Sequence, residues 1–84
     1  MSDLELYVGE VVWFNASRGY GFIKYDVDGA PQKDMFAHFS DIVCEGFKTL
    51  HKGQKVQFNV GQNKHGDPKA VNIVIVKNWL NHQF

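Results

Sequence analysis

The sequence predicts an all-β domain, a small antiparallel barrel or sandwich built from five strands. Apolar and polar residues alternate with a period of two in several short segments, as they do in strands that bury one face. Turn-forming residues separate these segments at short intervals, and helical periodicity is hard to find anywhere in the sequence. With 84 residues, the chain is long enough for a single domain with a thin core.

The first two predicted strands flank a tight turn. Residues 7–14 form the first strand, and residues 20–25 form the second. The residues between them read Asn-Ala-Ser-Arg-Gly, a run of turn formers that ends in a glycine free to take a positive φ. The chain is therefore expected to turn between the two strands.

The third strand lies between two longer connections. Residues 26–33, with their Asp-Gly and Ala-Pro pairs, are predicted to form a loop, and residues 34–39 form the strand that follows it. Residues 40–53 show no period and indicate a long connection. Within this connection, Leu50 is expected to fill the core.

The fourth and fifth strands complete the prediction. Apolar and polar residues alternate in the fourth strand, which gives it one buried and one hydrated face. A turn at residues 63–68 leads into the fifth strand. The apolar residues of both strands are expected to point inward: Val56, Phe58, Val60, Val71, Ile73 and Ile75.

Alternation along the second and third strands separates large aromatic side chains from mainly aliphatic ones. Successive residues of a strand point to opposite sides, so each strand has an aromatic side and an aliphatic side. The aromatic side of the two strands, called the aromatic face, consists of Tyr20, Phe22, Phe36 and His38. The opposite side is predicted to join the core: Ile23, Tyr25, Met35, Ala37 and Phe39, together with Val11, Leu50, Val56, Phe58, Val60, Val71 and Ile73.

The alternative is that the faces are inverted and the rings form the core. This arrangement would place His38, a titratable group, at the centre of a small core, where it needs a partner. The aliphatic residues already supply enough volume. An exposed aromatic cluster beside a lysine and an arginine is also what unpaired nucleic acid requires, because bases stack on rings while cations follow the backbone. The aromatic face is therefore predicted to bind single-stranded nucleic acid.

Charge and composition limit the possible partners and locations. Nine basic and nine acidic residues give a net charge of zero, which argues against duplex DNA or an acidic membrane held by bulk positive charge. The charges are nevertheless uneven, because residues 1–45 carry three bases and eight acids, whereas residues 46–84 carry six bases and one acid. The single cysteine, Cys44, excludes an internal disulfide, and neither a signal peptide nor a membrane-length apolar run is visible. We expect a soluble, cytoplasmic protein.

Several motifs together resemble those of a known family. Residues 9–23, GEVVWFNASRGYGFI, resemble the first ribonucleoprotein motif of the cold-shock domain. Residues 34–39, DMFAHF, resemble its second ribonucleoprotein motif. Further segments are similar to the family's long loop, fourth strand, and final turn and strand: residues 46–50, 53–56 and 66–73.

The resemblance extends over most of the chain, from residue 7 to residue 76. It assigns residues 1–76 to a cold-shock domain and leaves residues 77–84 as a C-terminal tail. It implies a five-stranded antiparallel barrel of the oligonucleotide-binding (OB) fold, whose second and third strands carry the binding surface. It also implies a single-stranded RNA- and DNA-binding protein that acts as an RNA chaperone or an antiterminator.

The resemblance also implies a role for individual residues. The residues implied in base stacking are Trp13, Tyr20, Phe22, Phe36, His38 and Phe47, with Phe14 and Phe39 at the edges. Polar residues complete the predicted site: Arg18 to contact phosphate or a base edge, Asn15 and Asp34 to form hydrogen bonds with bases, and Lys48 and Lys64.

The sequence departs from the family pattern at several points. Strict alternation puts Trp13 on the same side as inward-facing Val11, so a bulge or a strand end is required near Val12. Val12 itself stands where the family usually has a lysine that contacts nucleic acid, which removes one cation. The loop at residues 26–33 is longer than usual and carries two acids that would repel phosphate. Asp67 is inserted into the turn before the last strand.

The C-terminal tail contains large apolar residues. Trp79, Leu80 and Phe84 are too apolar for a loose end, so the tail is expected to pack against the barrel or a second copy, or to bind a protein partner. The alternative function is a cold-shock fold that serves as a protein-interaction or regulatory module, with weakened nucleic-acid binding. An enzyme is not expected, because nothing brings two histidines together for acid-base catalysis. One cysteine and scattered histidines lack metal-ligand spacing, and no cofactor is expected.

Overall fold

The computed structural model describes residues 5–76. Its regular structure consists of strands and one turn of 3-10 helix, and none of the described residues forms an α-helix. This agrees with the all-β prediction. Among the described residues, no helix is long and apolar enough to cross a membrane. The elements are β1 (Tyr7–Asn15), β2 (Tyr20–Val27), β3 (Ala30–Pro31), β4 (Met35–His38), the 3-10 turn (Phe39–Asp41), β5 (Lys55–Gln62) and β6 (Pro68–Ile75).

The antiparallel strands form one sheet that closes into a barrel. The strand order is β3-β2-β1-β5-β6, and β4 also pairs with β2. The chain beyond β4 reaches the other edge of the sheet, where Ile42 forms a parallel bridge with Ile73 of β6. The amide of Val43 donates a hydrogen bond to the Ile73 carbonyl oxygen at 2.7 Å. The predicted OB-type barrel is confirmed, and the short β3 is an addition to its five strands.

A hairpin at the end of β2 corrects one expectation. Residues 26–33 are a loop in the prediction, but β2 continues to Val27 and pairs with Ala30–Pro31 of β3. Asp28 and Gly29 form the two-residue turn, with φ angles of 53° and 83°. Positive φ at both positions is what a type I′ hairpin turn requires, and Asp-Gly is a preferred sequence for it. The loop prediction is therefore wrong for residues 26–31. The Asp-Gly pair is itself a signal for a hairpin in the sequence.

A bulge in β1 allows Trp13 to face outward. Val11 pairs with Ile23 and Trp13 pairs with Phe22, so β1 advances two residues while β2 advances one. The extra residue, Val12, reverses the alternation. Val11 is consequently 1% exposed, whereas Trp13 is 41% exposed. The predicted bulge near Val12 is confirmed.

A second irregularity changes the inward residues of β6. The pairing between β5 and β6 shifts register, and Asn72 takes a φ of 52°. The fully buried residues of β6 are Ala70 and Ile73, which are three positions apart instead of two. Val71 is half-buried, so the prediction that it lies in the core is wrong, because the irregularity interrupts the alternation.

The core contains expected and unexpected residues. Leu50 is buried as predicted, whereas Ile42 is buried without having been predicted, because its connection shows no period. Phe39, expected to point inward, is 43% exposed, since β4 ends at His38 and Phe39 begins the 3-10 turn. The buried core consists of Val11, Ile23, Met35, Ala37, Ile42, Leu50, Val56, Phe58, Ala70 and Ile73.

Three rings form a separate cluster that packs against the core. Tyr7, Tyr25 and Phe58 are mutually in contact, with centroid distances of 5.5 Å for Tyr7–Tyr25, 5.8 Å for Tyr7–Phe58 and 5.4 Å for Tyr25–Phe58. The Tyr7 hydroxyl donates a hydrogen bond to Glu5 Oε1 at 2.7 Å, which raises the pKa of Tyr7 above its ordinary value. These rings stabilise the barrel by packing, in contrast to the rings of the aromatic face.

An ion pair connects the 3-10 turn to β6. Lys69 Nζ lies 3.1 Å from Asp41 Oδ2, and the two side chains are 25% and 19% exposed, respectively. Asp41 Oδ2 is buried and accepts no hydrogen bond within the described part of the chain. The Lys69 ammonium group therefore provides the opposite charge beside this buried oxygen.

Replacing Lys69 with Met should destabilise the fold by about 1–3 kcal/mol, because it leaves the Asp41 carboxylate partly buried without its cation. The double variant Asp41→Asn/Lys69→Met should be more stable than the sum of the two single losses implies. Urea unfolding monitored by circular dichroism measures all three variants. Strictly additive losses would contradict a stabilising ion pair.

Gly21 allows β1 and β2 to approach closely behind the aromatic face. A Cβ atom at this position would overlap with the Trp13 carbonyl oxygen and lie 2.9 Å from Cδ1 of Phe14. Backbone atoms cannot move away without displacing β1. A side chain here would therefore disturb the strand that carries Trp13.

Substitution of Gly21 with Ala should destabilise the protein by more than about 2 kcal/mol, since the overlap involves backbone as well as side-chain atoms. Gly46→Ala is the matched control: Gly46 has a φ of 86° and no atom within 4 Å of an added Cβ, so its cost is backbone strain of about 1 kcal/mol. Thermal unfolding of both variants compares them. A Gly21→Ala variant no less stable than Gly46→Ala would contradict the close approach.

Candidate functional site

The aromatic face is built from direct cross-strand pairs of β2 and β4. Tyr20 pairs with His38 and Phe22 pairs with Phe36, so the pleat directs all four side chains to the same side of the sheet. The Phe36 ring lies 5.7 Å from Tyr20 and 5.8 Å from Phe22, between ring centroids. These distances are typical of aromatic contacts, and the four residues form one continuous surface.

The same pairs explain why these rings are accessible. The residues that alternate with these rings also form cross-strand pairs, Gly21 with Ala37 and Ile23 with Met35. All four of these residues are buried. Burying this side leaves the aromatic face on the outside, where each of its residues is half-buried. The expected orientation of the two faces is confirmed, and the inverted arrangement with the rings in the core is excluded.

Trp13 extends the aromatic face onto β1. Its ring centroid lies 5.4 Å from Phe22 and 5.7 Å from Tyr20. The bulge at Val12 makes this contact possible, because strict alternation would have directed Trp13 into the core. β1 thus contributes a large exposed ring to this surface.

The other end of the aromatic face continues into the 3-10 turn. The Phe39 ring lies 4.6 Å from His38 and covers Gly19, where an added Cβ would be 2.7 Å from Cδ1 of Phe39. The Phe39 amide also donates to the Gly19 carbonyl oxygen at 2.9 Å. Phe39 thus does not point into the core and lies at the edge of the aromatic face.

His38 is held by the residue two positions further along the chain. The Ser40 amide donates to His38 Nδ1 at 3.2 Å, and the Ser40 hydroxyl oxygen lies 2.8 Å from the same nitrogen. The histidine thereby caps the 3-10 turn. Ser40 is not among the predicted site residues, although a serine two residues after a strand-end histidine is a pattern that permits such local hydrogen bonds.

Asn15 is the last residue of β1, and Arg18 lies in the turn that leads to β2. The Asn15 side-chain oxygen accepts a hydrogen bond from the Arg18 amide at 2.9 Å, and its carbonyl oxygen accepts one from the Gly19 amide at 2.7 Å. The Asn15 side-chain oxygen is thus engaged in the turn. Arg18 is exposed.

Charged side chains of both signs follow the rings along the outer side of β1 and β2. Lys24, exposed, pairs across the strands with Glu10, whose carboxylate lies 3.8 Å from Lys55 Nζ. Asp26 lines a shallow groove together with Glu10, Lys24 and Lys55, and Asp34 is exposed just before β4. The aromatic face therefore borders on a mixed charged surface, in which Glu10 and Asp26 oppose the approach of phosphate.

Other predicted site residues are dispersed. Phe14 is half-buried and packs against the core. Phe47 is 76% exposed in the connection before β5, where its carbonyl oxygen lies 3.8 Å from Cys44 Sγ, and it contacts no other ring among the described residues. Lys48 is exposed in the same connection and Lys64 in the turn between β5 and β6.

The inserted Asp67 belongs to a turn that Asn63 organises. The Asn63 side-chain oxygen accepts hydrogen bonds from the His65 and Asp67 amides, at 2.8 Å and 2.9 Å. The Asn63 amide donates in turn to the Asp67 carbonyl oxygen at 2.9 Å. The extra residue is thus accommodated in a closed turn.

Within residues 5–76, no three His, Cys, Asp or Glu side chains are grouped so as to hold a metal ion.

Curated proteins similar to this chain cover most of its length. A Vibrio cholerae protein named cold shock-like protein CspA is 51% identical over 65 residues, which are 77% of this chain and 87% of that protein. A major cold shock protein of Streptococcus pyogenes is 54% identical over 65 residues, 77% of this chain and 90% of that protein. A cold shock-like protein of Aquifex aeolicus is 48% identical over 68 residues, 81% of this chain and 91% of that protein.

A family model agrees with these relatives. The model described as the 'cold-shock' DNA-binding domain matches residues 7–76, the range over which the motifs showed the resemblance. Residues 77–84 lie outside both this match and the described residues, and so does the expectation that they pack against the barrel or bind a partner. The match over most of the chain and the level of identity to its relatives show that the chain belongs to the cold-shock domain family.

Proposed function

We propose that this protein binds single-stranded RNA and DNA by stacking nucleobases on the aromatic face, Trp13 and Phe39. The observation that carries the proposal is the unbroken row of accessible rings across three strands, with neighbouring centroids 4.6–6.5 Å apart. Bases of any sequence have π-faces, so such a row suits unpaired strands of varied sequence. The description of the matching family, the 'cold-shock' DNA-binding domain, supports nucleic-acid binding.

Stacking on this surface is strong enough to hold an unpaired strand. Each stacked base contributes about 1–3 kcal/mol, so four or five bases give a gross ~4–15 kcal/mol before the cost of ordering the strand. Opening one DNA base-pair step costs about 1.4 kcal/mol on average. The protein would therefore trap short or imperfect hairpins in their open form, whereas a long duplex would exclude it.

This trapping requires no chemical step, and we propose a chaperone or antiterminator instead of an enzyme. The sequence contains no phosphate-cradling glycine loop that ends in Gly-Lys-Ser/Thr, the signature of many nucleotide-driven motors. Binding energy alone would shift the equilibrium towards the open strand. A free cysteine, Cys44, is compatible with action in the reducing cytoplasm.

Simultaneous replacement of Phe22, Phe36 and His38 with Ala should weaken oligothymidine binding at least 100-fold, since three stacking contacts of about 1–3 kcal/mol each are lost. Quenching of Trp13 fluorescence measures the affinity. All variants should carry Trp79→Phe, because Trp79 is the second tryptophan of the chain.

Val8→Ala provides the control for this experiment, because Val8 is 53% exposed near the other end of β1. It should leave the affinity unchanged, and circular dichroism should show that every variant is folded at the assay temperature. Unchanged affinity in a folded triple variant would contradict the proposal. If the wild-type protein formed no complex even at low salt, the protein-interaction module would become the better account.

Val12→Lys should strengthen binding and make it more sensitive to salt, because it adds one cation to the strand that carries Trp13. For single-stranded nucleic acid, each neutralised phosphate steepens the slope of log Kobs against log salt by about 0.7. Titrations at several salt concentrations measure this slope, with Val12→Met as the uncharged control of similar length. If the slope of log Kobs against log salt were the same for Val12→Lys and Val12→Met, the bound nucleic acid would not pass position 12.

A further inference from the structure

The contact between His38 and Ser40 determines how the imidazole ring is presented. Two groups of Ser40 converge on the same ring nitrogen, the amide at 3.2 Å and the hydroxyl oxygen at 2.8 Å from Nδ1. An amide N–H can only donate, so Nδ1 accepts and carries no proton. The hydroxyl then donates to the same lone pair.

The assignment of Nδ1 as an acceptor fixes the state of the second ring nitrogen. In a neutral imidazole, one nitrogen is an acceptor and the other carries the proton. Nε2 of His38 is therefore an N–H donor. His38 thus differs from the other members of the aromatic face, because it offers both a ring for stacking and one directed hydrogen-bond donor.

The ring is also constrained from its two sides. Its centroid lies 4.6 Å from the Phe39 ring at an interplanar angle of 38°, and 6.5 Å from the Phe36 ring at 30°. These contacts restrict the position of the ring but do not select which nitrogen is protonated. Ser40 makes that selection, since its amide can only donate and therefore requires an unprotonated Nδ1, to which the hydroxyl can then donate as well.

We propose that Ser40 is a positioning residue that holds His38 as an Nε2–H donor toward an oxygen acceptor of the bound strand. The acceptor is a pyrimidine carbonyl or a phosphate oxygen, which present the same chemistry to an N–H group. This inference rests on the proposed function for its partner, whereas the protonation pattern of the ring belongs to the free protein. His38 would then contribute orientation and selectivity in addition to stacking.

Nitrogen-15 NMR of the His38 side chain in the free protein, at pH 8, tests the protonation pattern without any nucleic acid. The wild-type ring should show an unprotonated Nδ1 and a protonated Nε2. Ser40→Ala, which keeps the amide donor and loses the hydroxyl, should shift both resonances toward a mixture of the two neutral forms. Ser40→Thr should restore the wild-type pattern. A protonated Nδ1 in the wild-type protein would overturn the proposal.

A double-mutant cycle tests the consequence for binding. Ser40→Ala should weaken oligothymidine binding about two- to fivefold, because a net hydrogen bond is worth about 1 kcal/mol and is lost only in part. In a His38→Phe background, which retains a stacking ring without nitrogen atoms, Ser40→Ala should have no effect. A loss that persists in that background would mean that Ser40 acts directly on the strand and would overturn the positioning role.

Modified oligothymidines then identify the acceptor. If it is a phosphate oxygen, a methylphosphonate linkage at one position should abolish the difference between wild type and Ser40→Ala. If it is a base carbonyl, an abasic residue at one position should do so. A difference that survives every single modification of both kinds would contradict an Nε2–H contact. Failure of wild-type protein to bind any oligonucleotide would instead refute the proposed function and leave the NMR result standing.

Discussion

The arrangement of this protein depends on the burial of one side of the β2–β4 pair. Ile23, Met35 and Ala37 are at most 6% exposed, and they alternate with the rings of the aromatic face. Because the side-chain period of a strand is two, burying the aliphatic residues places the rings in water. A slip of β4 by one residue against β2 would turn the rings of β4 toward the core and its aliphatic residues toward water. The core thus determines both the fold and the exposure of the rings.

Two irregularities adapt the barrel to this constraint. The bulge at Val12 brings Trp13 from the inward side to the outer side, beside Phe22. The end of β4 at His38 similarly releases Phe39 from the alternation, so that its ring lies against His38 instead of in the core. Both departures from regular strand geometry add rings to the same surface, which is typical of bulges and strand ends next to binding sites.

Much of the fold and the aromatic face can be predicted from the sequence because alternation carries the information. Features that interrupt alternation are harder to predict. The positive φ of Asn72 moves Val71 out of the core, and the buried position of Ile42 depends on a bridge to Ile73, far away in the chain. Neither the backbone conformation of Asn72 nor the Ile42–Ile73 bridge can be recognised from the neighbouring residues in the sequence. The Asp28-Gly29 hairpin does have a local signal, and the Trp13 bulge follows from a conflict between alternation and the family pattern.

The placement of the polar residues depends on local geometry that residue types alone do not specify. Asn15 is a candidate to bind bases by type, yet its side-chain oxygen accepts a hydrogen bond from the Arg18 amide. Ser40 has no evident role by type, yet it contacts His38 through both its amide and its hydroxyl. Such contacts depend on the exact course of the backbone through a turn. Sequence alternation therefore predicts the stacking surface better than it predicts the groups around it.

Intermolecular NMR contacts between the protein and bound oligothymidine show whether nucleobases stack on the aromatic face. We expect nuclear Overhauser effects between thymine protons and the ring protons of Phe22 and Phe36. The thymine protons should also shift upfield, because they lie over aromatic rings. Contacts confined to other surfaces, such as that around Val8 and Val74, without ring-current shifts, would rule out stacking on the aromatic face.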